Sequence, residues 1–331
     1  MPTNRWKWRP LLAAALVAFV AAGEAPALAQ EAKQLFGSRS LPAAMAPAAI
    51  GFYSKGCLAG GIAIPTDGPT WQAMRLSRNR RWGHPDMIAL IDRLSREAAQ
   101  HDGWPGLLIG DISQPRGGPM LSGHASHQVG LDADIWLTPM PNRRLSTRER
   151  EDISATSMLA DGTLLVDPNL WTPAHGRLIM RAASYPEVER IFVHPGIKKQ
   201  LCESYQGDRS HLGKVRPYWG HHYHFHIRMK CPAGSPGCTA QSPVTGGSGC
   251  DESLAWWFTE EPWRQPDDPP AEPAEPKIVR LGDLPNACAV VADAAAVPSE
   301  QQATYGTAAA SAPPPAAYAA EVPVPTPNPF R

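Results

Sequence analysis

Two stretches of this chain alternate apolar and polar residues. In the first, Leu131, Ala133, Ile135 and Leu137 share one parity while Asp132, Asp134 and Trp136 share the other. In the second, Tyr223, Phe225, Ile227 and Met229 oppose His222, His224, His226 and Arg228. Successive side chains of a strand point to opposite faces, so each stretch predicts a half-buried strand with one polar face. A slip of one residue would invert every side chain, so burial of the apolar set fixes the register. Other segments carry different patterns. Pro85 to Leu94 sets apolar residues at helical spacing behind a proline suited to a first helical position, and Pro173 to Ala183 predicts a second helix. Gly106 to Ile112 is short, apolar and flanked by glycine, which predicts a buried strand, and Glu187 to Val193 leads into another. No internal repeat is visible.

The two ends lack such patterns. Arg5, Lys7 and Arg9 precede an apolar run from Leu11 to Ala22, and small residues follow at Ala27 and Ala29. That order predicts a secretory signal peptide over residues 1–29. The run falls well short of the ~20 residues needed to span a bilayer, so no membrane association is expected after cleavage. Residues 30–50 read as a small-residue leader and 51–290 as one catalytic domain. Residues 291–331 read as an Ala/Pro-rich disordered tail, and 264–276 as a Pro-rich acidic linker, because neither has enough apolar content to offset chain entropy.

Charge narrows the partners. Lys plus Arg equals Asp plus Glu, 31 against 31, which leaves no electrostatic footprint for nucleic acid or an anionic membrane. All 6 cysteines follow the leader region, and an even count in an exported chain favours disulfides over thiolate metal sites or a reactive thiol. Spacing alone leaves the connectivity open. Only a Cys231–Cys238 loop is locally readable, through the turn-forming Pro-Ala-Gly-Ser-Pro-Gly between them.

The candidate chemistry lies on the two alternating stretches. His127 stands at the entrance of the first strand, close enough to converge with Asp134 on one ion, while the second strand forces several imidazoles onto one polar surface. Neutral imidazole and carboxylate are zinc ligands, and three protein ligands with an open fourth position mark a catalytic site. Competing motifs are missing: there is no GxSxG elbow, HExxH helix or phosphate-cradling loop, and Ser126 has no supporting nucleophile machinery around it.

At these residues the chain resembles the penicillin-insensitive murein endopeptidases, within the wider group of zinc peptidases that includes lysostaphin-type and D-Ala-D-Ala dipeptidase enzymes. The matching stretches include Gly83-His84-Pro85-Asp86, Leu108 to Asp111, Ser122 to Trp136, Ile191 to Val193, Ile197 to Cys202, Lys214 to Pro217 and His224 to Pro232. The resemblance implies one catalytic Zn2+ bound by His127, Asp134 and His226, with His124 close by and sometimes counted with the site. It implies that His221 and His224 assist proton transfer without binding metal. It implies periplasmic hydrolysis of the D-alanyl to meso-diaminopimelyl cross-link of peptidoglycan, with no active-site serine for a β-lactam to acylate. Disulfides Cys57–Cys288, Cys202–Cys250 and Cys231–Cys238 follow from it as well. So does an α+β fold on a small central antiparallel sheet flanked by helices and disulfide-tied loops. The family archetype is a homodimer sharing a second zinc through an aspartate and a histidine three residues later. Here Asp161 fits the first, but Leu164 replaces the second, which counts against an interfacial ion and leaves the homodimer open. A non-catalytic wall-binding module of the same fold is the competing class, but it would not need spare histidines on the metal face.

Overall fold

The structure, a computed structural model, describes residues 29–244, 246–264 and 278–307. In chain order they form α1 (Ala32–Gly37), the hairpin β1 (Ala48–Phe52) and β2 (Lys55–Ala59), the short β3 (Ile62–Ala63), β4 (Trp71–Ala73), β5 (Trp82–Gly83), α2 (Pro85–Glu97) and β6 (Leu107–Ile109). There follow β7 (Asp132–Trp136), α3 (Thr147–Asp152), α4 (Pro173–Ser184), β8 (Val188–Val193), α5 (Pro195–Ser204), β9 (Val215–Pro217), β10 (His224–Met229), α6 (Glu252–Ala255) and α7 (Ala287–Asp293). The expected signal peptide lies almost wholly outside the described residues, as does most of the Pro-rich linker. Among the described residues no helix is long and apolar enough to cross a membrane.

Helix α2 begins as its sequence implies. Pro85 occupies the first turn, and His84 Nδ1 accepts the Asp86 backbone N–H at 3.2 Å, satisfying one of the donors a helix start leaves unpaired. Its Met87, Ile88, Leu90, Ile91 and Leu94 are buried on the main core. The chain after Leu94 continues helically to Glu97, then widens into a π turn ended by Gly103 in the left-handed region.

The main sheet has strand order β4-β6-β7-β10-β8-β9. Its interior pairings are antiparallel, but β4 runs parallel to β6 and β9 parallel to β8. The expected small antiparallel sheet is therefore the middle of a six-stranded mixed one. Parallel neighbours need crossover connections, and α2 and α5 supply them between β4 and β6 and between β8 and β9. The two edge strands are only 3 residues each, too short to show an alternation.

The expected half-buried strands are buried on both faces: all five residues of β7 and all six of β10 are buried. Leu131, Ala133, Ile135 and Leu137 join Phe225, Ile227 and Met229 in the main core. On the other face Trp136 packs with Met74, Leu108 and Leu145, while the polar residues turn inward onto one another. A buried charge is tolerated only when paired, and this face meets that condition by self-pairing.

The leader and the start of the tail also differ from the sequence expectation. Residues of α1, β1, β2 and α7 form a second apolar cluster around the Cys57–Cys288 disulfide. The buried Arg116 guanidinium donates to the carbonyls of Val291, Ala292 and Ala294 at 2.8–2.9 Å, gathering the C-terminal end of α7 onto the domain. Past the expected boundary at 290, Ala43 bridges to Ala296, and Tyr305 N–H bonds Ala63 O at 2.8 Å. The packed chain thus spans the leader and runs to about Thr307, because small alanines can be buried without the bulky apolar signal a sequence pattern displays. The Cys202–Cys250 and Cys231–Cys238 disulfides complete the implied set.

Candidate metal centre

The pairing of β7 with β10 decides the geometry of the site. His226 stands directly opposite Asp134, His224 opposite Trp136 and Arg228 opposite Asp132. Cross-strand partners have adjacent Cβ atoms, so an antiparallel register brings residues far apart in sequence into one cluster. The segment before β7 then delivers His127. It folds back with His127 at φ 67°, a left-handed conformation that costs a non-glycine residue about 1–2 kcal/mol. Gly130, at φ 71°, allows the return into β7, since a Cβ there would meet His84 N at 2.8 Å.

Four imidazoles surround the Asp134 carboxylate. Its Oδ1 lies 3.2 Å from His226 Nδ1, 3.4 Å from His127 Nε2 and 3.5 Å from His224 Nε2, and its Oδ2 lies 3.5 Å from His124 Nε2. One ligand atom each from His124, His127 and Asp134 fall within 4.8 Å of one another, close enough to hold a metal ion. His127 is fully buried. Its Nδ1–H donates to Ile112 O at 2.6 Å, which leaves Nε2 unprotonated and directed at Asp134. Both that nitrogen and Asp134 Oδ1 are buried without a hydrogen-bond partner. Orphaned acceptors of this kind cost free energy unless something satisfies them, and a cation between them would do so.

His226 is fixed in the same way. Its Nε2–H donates to Asp132 Oδ1 at 2.8 Å, so in the neutral ring Nδ1 carries the lone pair that faces Asp134. Asp132 also accepts from Arg228 Nε at 2.8 Å and from the His127 backbone N–H at 3.0 Å. One buried carboxylate therefore sets the tautomer of one imidazole and the backbone of another, as carboxylates behind metal-binding histidines do. Burial would raise the Asp132 carboxyl, but Arg228 and His226 more than offset it and hold it below the usual carboxylate range. At Asp134 burial is likewise opposed, by His224 and His127, and the carboxyl lies well below its ordinary value. Burial would lower His226, yet its two aspartate neighbours leave it raised.

His124 is the outer member. Its Nε2 lies 3.0 Å from Asp111 Oδ2, which also accepts from Arg80 at 2.9 Å and Arg78 at 3.1 Å. Burial opposes the shift at Asp111, but His124 and Arg80 bring it down to about 2. His224 and His221 pack with ring centroids 4.8 Å apart. His221 Nδ1–H donates to Trp219 O at 2.7 Å, leaving Nε2 free. Burial, reinforced by neighbouring imidazoles, pushes His221 down to about 3; at His224 burial outweighs Asp134 and brings the ring to about 4. Both rings are therefore neutral at pH 7.

Not every sequence candidate arrives at the site. His222 precedes β10 instead of sharing its polar face; its Nδ1 lies 2.9 Å from Ser157 Oγ, and its carbonyl accepts from Met158. Asp161 is exposed in a turn apart from the cluster. Asp132, Asp111 and Arg80 carry more of the architecture than the sequence reading gave them. Asp132 could have been found, because its parity matches Asp134 and its partner Arg228 shares the parity of His226.

Fold and site together point to a metallopeptidase-type hydrolase, with His and Asp side chains that could hold a metal ion gathered on and beside the central strands of a mixed sheet. Residues 49–293 match the family model described as penicillin-insensitive murein endopeptidase. The protein of that name from Haemophilus influenzae is 42% identical over 236 residues, covering 69% of this chain and 77% of its own length. That from Yersinia enterocolitica is 43% identical over 234 residues, covering 71% and 82%, and that from Klebsiella pneumoniae 41% over 244 residues, covering 74% and 85%. The chain belongs to the penicillin-insensitive murein endopeptidase family.

Proposed function

We propose that the chain is a zinc-dependent endopeptidase that hydrolyses the D-alanyl to meso-diaminopimelyl cross-link of peptidoglycan in the periplasm. The observation that carries the metal is the pair of buried, unpartnered acceptors, His127 Nε2 and Asp134 Oδ1, beside His226 Nδ1. These three residues would hold the ion, and three protein ligands are the complement of a catalytic zinc site. His124, already engaged by Asp111, stands at the margin. Two nitrogens and a carboxylate oxygen suit zinc better than the all-oxygen cations. The export signal expected at the N-terminus and the wall substrate in the family's name both support the periplasm.

Zinc held there supplies Lewis-acid chemistry, polarising a carbonyl and acidifying water. The protein does the rest. Asp132 and the Ile112 carbonyl fix the ring orientations of His226 and His127 before substrate arrives. His221 Nε2, freed by the bond from Nδ1–H to Trp219 O, takes the proton of the attacking water and returns it to the leaving amine. His224, packed against His221, steadies the charge that develops on the tetrahedral centre. No serine is acylated on this route, which accounts for the insensitivity to penicillin in the family's name.

The test is digestion of purified cross-linked muropeptide dimers, with and without chelator, read by mass spectrometry. Monomers released only in metal-replete buffer are expected. Intact dimers under those conditions would mean a wall-binding module rather than an enzyme.

A further inference from the structure

A cleft of about 290 Å³ adjoins the candidate metal centre, lined by Asp134, His124 and His224 together with Arg75 and Arg78. Both arginines come from one tight turn, Arg78 ending the 3₁₀ segment Leu76–Arg78 and Arg75 just preceding it. The residues that flank it, Arg75 at φ 54° and Asn79 at φ 51°, are both left-handed without being glycine. Strain of this kind persists only where surrounding contacts enforce it, and it concentrates at ligand-binding positions.

Those contacts are present. Ser77 donates through N–H and Oγ to the Glu151 carboxylate, each at 2.9 Å. Asn79 Nδ2 donates to Ser40 O at 3.1 Å, and Asn79 Oδ1 accepts from Trp82 Nε1 at 2.7 Å. Arg75 Nη2 donates to Ile153 O at 2.8 Å, and its guanidinium lies 5.7 Å from the Trp136 ring centroid in the cleft wall. The turn is thus built to hold two guanidinium groups at a fixed place.

Among the described residues Arg75 makes no ion pair, while Arg78 shares Asp111 with other donors. Asp111 and Asp134 are the acids of the cleft; Asp111 Oδ2 already accepts from the buried Arg80 and from His124 as well as from Arg78, and Asp134 is enclosed by imidazoles. Arg75 bonds only a neutral carbonyl among its recorded side-chain partners. A planar guanidinium fork is matched to a carboxylate, so Arg75, and Arg78 beyond its bond to the shared Asp111, offer donors in the form that recognises one.

We propose that Arg75 and Arg78 are specificity-determining residues that bind the free carboxylate next to the scissile amide of the cross-link. This rests on the endopeptidase reading above. In a meso-diaminopimelyl cross-link the carbon bearing the amide nitrogen also bears a carboxyl group, so the anion sits one carbon from the bond to be cut. A site adjoining the metal centre is where such a group would lie. The arginines orient the amide and select stems whose carboxyl is not amidated.

The test uses the full-length, metal-replete protein with two cross-linked dimers, one with that carboxyl free and one with it amidated. Charge-assisted hydrogen bonds of this type imply that the wild type prefers the free acid by about tenfold to a hundredfold in kcat/KM, mostly through KM. In Arg75→Gln/Arg78→Gln the preference is expected to fall to near one, while Arg78→Lys keeps part of it. Arg148→Gln, on the exposed side of α3, is the control and keeps the full preference. Equal slowing of both substrates by the double variant would make the turn merely structural and overturn the assignment. A wild type that cuts both dimers equally well would overturn it too. A wild type that cuts neither would overturn the endopeptidase reading and the assignment with it.

Discussion

Replacing Asp132 with asparagine tests the claim that the site is preorganised by a residue that does not bind metal. Asp132 is fully buried. Its two oxygens accept from His226 Nε2, Arg228 Nε and the His127 backbone N–H. Asparagine has nearly the same shape but only one acceptor oxygen. In one orientation its amide N–H₂ faces the His127 N–H; in the other it faces His226 and Arg228. Either way donor meets donor, and Arg228 loses its countercharge. Breaking a buried ion pair from one side costs about 3–5 kcal/mol. The lower end applies, because Arg228 keeps its bond to Gln241 Oε1 at 3.0 Å and lies 4.2 Å from the Tyr53 ring centroid. About 3 kcal/mol converts to a fall of about 6–12 °C in Tm for a domain of this size. Metal affinity should fall about 10–100-fold, the usual effect of losing a carboxylate behind a histidine ligand. The assays are thermal unfolding of the metal-free protein and zinc titration against a competing chelator. Unchanged melting together with unchanged affinity would refute the reasoning; a lowered Tm with intact zinc affinity would confine Asp132 to stability.

Other consequences are testable in the same way. His221→Ala should retain stoichiometric zinc while losing about 10²–10⁴-fold in kcat, the usual contribution of a positioned acid–base group; steady-state kinetics beside metal analysis separates the two effects. His194 Nδ1 accepts the Gly196 N–H at the start of α5, and burial, with His222 adding, holds it at about 4. Its folded value lies below its ordinary one, so the stability it contributes is complete above about pH 6.5 and is lost as pH falls through about 4, at most about 3 kcal/mol. His194→Asn keeps a capping acceptor and removes the titration, so melts of metal-free protein at pH 7 and pH 4 should differ less than in the wild type. Ending the chain at residue 290 removes the buried Val291 and Ala292 and strips Arg116 of three carbonyl acceptors. Urea unfolding should show a loss of about 3–5 kcal/mol relative to a chain ending at 307; equal midpoints would show that α7 ends do not support the domain.

The alternation of residues 131–137 and 223–229 carried most of what was legible. It placed Asp134, His224 and His226 on one face before any register was known, and the proline-led patterns located α2 and α4 to within a few residues. Alternation could not show which residue faces which, because register depends on contacts between segments some ninety positions apart, and only the pairing of His226 with Asp134 turns two polar faces into a cluster. The same limit left the role of Asp132 unread, because its parity was visible but its partners lie on β10 and in the segment before β7. His222 continued the parity of β10 by sequence, but the chain bends at His221, φ 51°, and the alternation has no meaning before the strand begins. The leader and the residues after 290 read as unpatterned because their buried side chains are mostly alanines held by a disulfide and by Arg116 rather than by a stripe of large apolar groups. The edge strands β4 and β9 were below the length at which a period can be seen.

The central claim is that zinc at His127, Asp134 and His226 drives cleavage of the peptide cross-link. Its most direct test is to add zinc in steps to metal-free protein while measuring bound metal and the release of monomers from cross-linked dimers. Cleavage should rise in proportion to zinc and stop rising at about one equivalent, the capacity of a single three-ligand site, and His226→Ala should neither bind that equivalent nor cleave. Full cleavage without zinc, or intact dimers at saturating zinc, would contradict the account.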